Sequence, residues 1–396
     1  MSLSASPVSV SKVAWPGWKV TADCKPQPLL MAKDSGIENY FADNYLAARR
    51  KFLDACAIQN LEVKHYVNNC LDNQDVELTC DVTLIGDAAA RKLLVLTSGV
   101  HGAELMCGSG CQTGLLIEDY FSDLPADNAV LIVHALNPWG ALNLRRNNEN
   151  NVDLCRNFVD FENELPINEG YESIHDALGC AELSGSNREQ ANKILDAFKA
   201  EKGETTFVSA VMSGQYSHPQ GMAYGGNEAV WSQHTIKNIL QRHAGAAERV
   251  CLLDYHSGLG PYAVGTVVCL HKGEALQRAQ SWFGDELMAP MQADKTSDKF
   301  HPALGHTTEG YIDALPGKEV TSIVIEYGTY DMQSNLQALL DEHSLYMNGD
   351  YDSVQAREIK DAVLKTHYPD DPQWRYAVWS RSKEVIEQAM RGLNDD

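Results

Sequence analysis

Four apolar runs constrain this chain more than any other feature: "KLLVLTSG" (92–99), "AVLIVHALN" (129–137), "RVCLLDYHSG" (249–258) and "TSIVIEYG" (321–328). Each is short, and its apolar residues are consecutive where a half-exposed strand would alternate. That pattern predicts interior strands of a sheet covered on both faces. Helical patterns lie between them, including about 105–120 and 228–243. Strands alternating with helices over this length predict an α/β fold with a mixed or mostly parallel sheet. His101, Asn137, His256 and Glu326 each fall at or just beyond the carboxyl end of a different run. In open α/β sheets ligands bind along that edge.

The remaining sequence frames this core. Residues 37–60, "IENYFADNYLAARRKFLDACAIQN", place Tyr40, Phe41, Tyr45, Ala48, Phe52 and Leu53 at near-helical spacing, which predicts an amphipathic helix packed outside the core. "LEVKHYVN" and "VELTCDVTLIG" read as early strands. No repeat, low-complexity tract or linker marks a break. The reading is one continuous unit, with residues 1–84 an N-terminal elaboration packed on the core and 85–396 the main part, including C-terminal helices. A polar stretch near 160–207 reads as a surface excursion able to cover a site.

Composition narrows the partners. With 32 Lys and Arg against 54 Asp and Glu, the formal charge is -22. Such a chain repels phosphate backbones and anionic bilayers, so neither nucleic acid nor membrane is expected as a partner. No stretch reaches the ~18 apolar residues of a spanning helix, and the N-terminus lacks a basic, then apolar, export pattern. The location expected from this is cytoplasmic. The ten cysteines are scattered without a Cys-x-x-Cys pair, so no zinc ribbon or thioredoxin-type site is signalled. Cys107 and Cys111, one helical turn apart, read as core positions.

His101-Gly102-Ala103-Glu104 offers an imidazole and a carboxylate, both good zinc ligands, with Gly102 relaxing the backbone between them. A His-x-x-Glu pair alone also fits a loop histidine followed by an acidic helix start. His256, about 150 residues on, supplies a third ligand from a second strand. Two histidines and a glutamate with one open position is a catalytic zinc arrangement. Asp254, on the same strand face as His256, suits an outer partner. Glu326 follows Ile323, Val324 and Ile325, where a carboxylate is costly to bury without a role. A salt bridge or backbone cap would also satisfy it; beside a metal it is the best candidate for general base.

Taken together, "HGAE", "NPWGALNLRRNNENNVDLCRNF" (137–158), "DYHSGLGPY" (254–262) and "IEYGT" (325–329) resemble the successive signatures of the zinc metallocarboxypeptidase superfamily. The resemblance is strongest to an uncharacterised bacterial branch, a domain of unknown function, which "GQYSHPQGMAYGGN" (214–227) favours over the digestive enzymes. It extends to the succinylglutamate desuccinylase and aspartoacylase branch. The resemblance implies a phosphorylase/hydrolase-like α/β fold with a mixed sheet of about eight strands flanked by helices, and one zinc ion. It assigns His101, Glu104 and His256 as ligands and Glu326 as general base. Arg145, or its neighbour Arg146, takes the oxyanion-stabilising place, and Arg156, with Asn157 beside it, the grip on a substrate carboxylate. Where the family has Asn-Arg this chain has Cys155-Arg156, and a thiol is a poor substitute for an amide donor.

The activity this implies is metallocarboxypeptidase-like hydrolysis of an amide bond, in a peptide or N-acyl amino acid carrying a free carboxylate. A non-catalytic metal- or ligand-binding protein is the alternative from another class. Tyr262 offers a phenol to the substrate, or else shields a turn. His218 fits either a pocket wall or an ordinary loop histidine. "GSG" at 108–110 lacks a serine-hydrolase elbow, leaving Ser109 as a packing residue.

Overall fold

The computed structural model describes residues 36–70, 76–290 and 304–395. Cys24 and the N-terminal segment in which no export pattern was read lie outside them. Seven strands form one sheet: β1 (Val63–Asn68), β2 (Leu78–Gly86), β3 (Lys92–Ser98), β4 (Asn128–His134), β5 (Arg249–Ser257), β6 (Gly265–Val268) and β7 (Glu319–Tyr327). Their order is β1-β2-β4-β3-β5-β7-β6. The four apolar runs are the parallel centre, β4-β3-β5-β7, and antiparallel strands flank them on both sides. The sheet is mixed as expected, with seven strands among the described residues against the eight implied.

Each central strand is apolar on both faces because each face has its own helical cover. Leu94, Leu96, Val130, Ile132, Cys251 and Leu253 join one core with Phe52, Cys107, Cys111 and Trp379. Leu93, Val95, Leu131, Val133, Val250 and Leu252 turn the other way, onto Ile236, Ile239 and Leu240. A buried side chain of this kind contributes about 1.5–3 kcal/mol relative to exposure, and the strands contribute on both sides.

The helices expected near 105–120 and 228–243 are Leu105–Ile117 and Trp231–His243. The amphipathic helix expected from 37 starts at Tyr45, because the Asn44 carboxamide caps it by accepting from the Ala47 N–H at 3.0 Å. A boundary at residue 84 falls inside β2, which pairs with β4 from Asp81 to Gly86. The N-terminal strands are therefore continuous with the central sheet. The polar stretch near 160–207 is largely helical. Its buried residues Tyr171, Ile174 and Leu195 form a smaller core with Leu336 and Leu339 of the helix Met332–Asn348. No helix among the described residues is long and apolar enough to cross a membrane.

Candidate metal centre

Parallel pairing brings the carboxyl ends of β3, β5 and β7 side by side, and His256 is in register with Glu326. His101 follows β3 and opens a tight turn, Gly102–Glu104, that feeds the helix Leu105–Ile117. That turn is where Gly102 matters, though for a reason other than a relaxed backbone. A Cβ at 102 would lie 2.0 Å from the Gly140 carbonyl carbon and 2.2 Å from the Ala141 nitrogen. The close approach lets the N–H groups of Gly102 and Ala103 donate to the carbonyls of Arg146 and Arg145 at 3.4 and 3.0 Å. The histidine-bearing turn and the arginine segment are thus fastened together.

His101, Glu104 and His256 converge. Nδ1 of His101 lies 2.9 Å from Oε1 of Glu104, and Nδ1 of His256 lies 3.1 Å from Oε2. The two rings meet edge to face, with centroids 4.9 Å apart. Behind them, Nε2 of His101 faces Asp153 Oδ1 at 3.2 Å and Nε2 of His256 faces Asp254 Oδ2 at 3.1 Å. A carboxylate on the far nitrogen fixes each ring's orientation and tautomer, the usual outer support of a metal-bound histidine. Asp254 is itself held by the Thr97 hydroxyl at 2.7 Å. Asp153 also accepts from the Cys155 N–H at 2.9 Å and from Arg146 Nε at 2.9 Å.

The electrostatics favour positive charge between the histidines. Burial and Arg146 push the His101 pKa down, but the Glu104 and Asp153 carboxylates outweigh them and raise it to about 10. Burial opposes a charged His256 too, yet Asp254 and Glu104 raise its pKa well above the ordinary value. The histidines in turn hold the Glu104 carboxyl well below its usual range against the cost of burial. A cavity that stabilises protons on two imidazoles around one carboxylate equally suits a dication in their place. The donor atoms agree. Nδ1 of His101 is buried with no hydrogen-bond partner despite its proximity to Glu104, and imidazole and carboxylate are both good zinc donors. One nitrogen of each histidine and Cys155 Sγ also lie within 4.8 Å of one another.

Glu326 faces this centre across the pocket. Its Oε2 is buried without a partner. Burial, with help from the Glu104 charge, pushes its carboxyl up to about 8 against the opposing pull of His256 and His101. No salt bridge or backbone cap occupies Oε2, the two alternatives that the sequence left open.

The family model described as "Protein of unknown function (DUF2817)" matches residues 41–381. The chain belongs to the DUF2817 family. No curated protein matches it in sequence. Solved structures similar to this DUF2817 chain include the carboxypeptidase A of Helicoverpa armigera, at 13% identity over 83% of this chain and 74% of that one, TM-score 0.44. Bovine thrombin-activatable fibrinolysis inhibitor is similar at 10% identity over 88% and 99%, TM-score 0.40. An aspartoacylase family protein from Mesorhizobium loti is similar at 13% identity over 73% and 67%, TM-score 0.35.

Within the DUF2817 chain, other candidate residues divide. Arg146 lines the pocket, with Nη1 3.5 Å from Glu104 Oε1. Arg145 turns away. Its Nε pairs with Glu342 at 2.9 Å, Nη2 donates to Asn151 at 3.0 Å, and its guanidinium stacks 3.8 Å from the Tyr346 ring. Of the pair left open by the sequence, it is Arg146 that lines the pocket, and Arg145 does not. Arg156 lines the pocket, donating to the Cys155 and Met212 carbonyls and leaving Nε unpartnered. Asn157 does not reach the pocket. It is a brace, donating to the Gly225 and Glu228 carbonyls and accepting from the Val230 N–H.

Tyr262 is likewise away from the pocket, donating to Asp371 at 2.6 Å. His218 stacks on His175 at 3.5 Å and pairs with Glu172 at 2.9 Å, outside the pocket. Ser109 hydrogen-bonds His134 in the core. Sequence reasoning missed Asp153 and His306. The signal for Asp153 was a lone carboxylate between Val152 and Leu154; His306, which lines the pocket, carried none.

Proposed function

We propose that this chain is a zinc-dependent hydrolase of amide bonds, acting like a metallocarboxypeptidase on a substrate with a free carboxylate. The observation that carries the reading is the convergence of His101, Glu104 and His256 opposite a Glu326 carboxyl with a free oxygen. A bound zinc ion supplies a Lewis acid for the scissile carbonyl and lowers the pKa of an attacking water. Glu326 takes the proton from that water and returns it to the departing nitrogen. A dication held by His101, Glu104 and His256 would oppose the burial that raises the Glu326 pKa and so favour its basic, ionised form. The Arg146 guanidinium stabilises the charge that develops on the carbonyl oxygen. Arg156, with its unpartnered Nε, meets the substrate carboxylate.

Peptide is favoured over an acidic N-acyl amino acid by the pocket wall. Leu270, Met288, Met332 and Leu336 give it an apolar side, which suits an apolar substrate side chain. The test is metal analysis of the purified protein with hydrolysis of a panel of peptides and N-acyl amino acids before and after chelation. Zinc near one ion per chain and chelation-sensitive release of an apolar C-terminal residue are expected. A protein that binds no ion and hydrolyses nothing would leave the non-catalytic alternative standing.

A further inference from the structure

Cys155 stands beside the paired histidines. Among the described cysteines it alone lines the pocket. Its Sγ and one nitrogen from each of His101 and His256 fall within 4.8 Å of one another, all buried. The same two histidines also contact the Glu104 carboxylate, at 2.9 and 3.1 Å. Nδ1 of His101 is buried in the same cluster, against the Glu104 carboxylate at 2.9 Å.

We propose that the Cys155 thiolate is a ligand of the ion held by His101, Glu104 and His256, occupying in the resting protein the position an attacking water needs. The proposal rests on the zinc reading above. Zinc binds sulfur at ~2.3 Å and imidazole nitrogen at ~2.0–2.1 Å, so a tetrahedral N-to-S edge is roughly 3.6 Å. The cluster therefore closes onto an ion with a contraction of about 1 Å. Thiolate and imidazole are both donors that zinc prefers.

The local structure delivers the sulfur to this place. Cys155 sits in the tight turn Leu154–Arg156, whose cap is Asp153. One oxygen of Asp153 accepts from the Cys155 N–H at 2.9 Å and faces His101 Nε2 at 3.2 Å. A single carboxylate thus positions both a ring and the thiol. On ligation the thiol proton passes to solvent, and no oxidation is involved. With Glu104 and the thiolate both bound, the dication is neutralised; with water in place of sulfur it keeps one net positive charge. The closed site is the weaker Lewis acid, and hydrolysis requires that the thiolate give up this position to water.

The test is X-ray absorption at the zinc edge of the full-length, zinc-loaded protein. A sulfur scatterer at ~2.3 Å alongside nitrogen and oxygen at ~2.0–2.1 Å is expected. The cobalt-loaded protein should show thiolate-to-cobalt charge transfer in the near-ultraviolet. Cys155→Ser and, should that variant fold poorly, Cys155→Ala should lose both signatures while keeping about one ion per chain. Peptide turnover in these variants should rise because the fourth position is open. A bound ion with only nitrogen and oxygen neighbours in the unaltered protein overturns this proposal and leaves the zinc reading intact. Absence of any bound ion overturns both.

Discussion

Arg145 and Arg146 are adjacent, both largely buried, and do different work. Arg146 points at Glu104 and the pocket, while Arg145 is locked to Glu342, which Lys360 also contacts at 2.7 Å. Replacing Arg146 with Met should lower kcat/KM roughly 10²–10³-fold, the usual cost of one oxyanion donor, and should also destabilise the fold on the order of 3 kcal/mol, because buried Asp153 loses its 2.9 Å guanidinium partner. Arg145→Met should show the stability loss without the kinetic one. It leaves a buried Glu342 half-compensated, which costs on the order of 3 kcal/mol, while kcat/KM stays near the starting value. Denaturant unfolding together with steady-state kinetics on both variants separates the two, and a kinetic defect confined to Arg145→Met would reverse the assignment. Glu326→Gln should cut turnover about 10²–10⁴-fold while zinc content is retained. An unimpaired variant would remove Glu326 from the mechanism. The sequence could name the arginine pair but not choose within it. The choice depends on which way each side chain leaves a turn, and that is set by backbone bonds from residues 102 and 103, far away in the chain.

Elements explain why the strand ends were legible and other parts were not. A strand buried on both faces has a run of apolar residues that few alternatives fit, so β3, β4, β5 and β7 and the residues that follow them could be read directly. Four-residue β6 lies beside "GLGPYAVG", and nothing in so short a run separates strand from loop. Gly102 was noticed, but its reason, contact with residues 140 and 141, is tertiary. Gly102→Ala should therefore weaken zinc binding by displacing the turn that carries His101 and Glu104, measurable by competition with a chromogenic chelator. The end of β4 gives a pH prediction. His134 stacks on Phe52 at 4.5 Å, bonds Ser109 at 2.9 Å, and is fully buried. Burial lowers its pKa to about 4. The unfolded imidazole titrates near ~6.5, so as pH falls below that value the unfolded chain binds a proton the native one refuses. Stability present above pH ~6.5 is lost progressively down to about 4, by up to ~3 kcal/mol. In His134→Gln that part of the loss should vanish, so unfolding free energies of the two proteins at pH 7 and 4.5 should converge or cross; parallel curves would clear His134 of the effect.

At the scale of the molecule, the question is whether the site-bearing part stands alone. The sequence reads as one continuous unit with residues 1–84 an elaboration upon it, and every candidate site residue lies beyond residue 84. The sheet builds that elaboration into the core. β2 pairs with β4 along six residues, and β1 pairs only with β2. On one face of the sheet, Tyr45 and Phe52 of the N-terminal helix share a core with Cys107, Cys111 and Leu115 of the helix that carries Glu104 at its start. The C-terminal helix Pro372–Asn394 lies on the same core through Trp374 and Trp379. Trp379 meets the Tyr40 ring edge on at 5.3 Å, and Trp374 Nε1 donates at 2.8 Å to the carbonyl of Gly328, just past Glu326. Removing residues 1–84 would strip β4 of its outer neighbour, exposing an unpaired hydrogen-bonding edge, and would uncover the aromatic core beneath the Glu104 helix. Each large apolar side chain taken from that core costs about 3–5 kcal/mol, and losing a few of them exceeds the 5–15 kcal/mol that holds a domain folded. A fragment of residues 85–396 should therefore fail to give a cooperative unfolding transition by circular dichroism, and should bind no zinc. A fragment that unfolds cooperatively near the full-length midpoint and holds an ion would show that the N-terminal strands are an accessory after all.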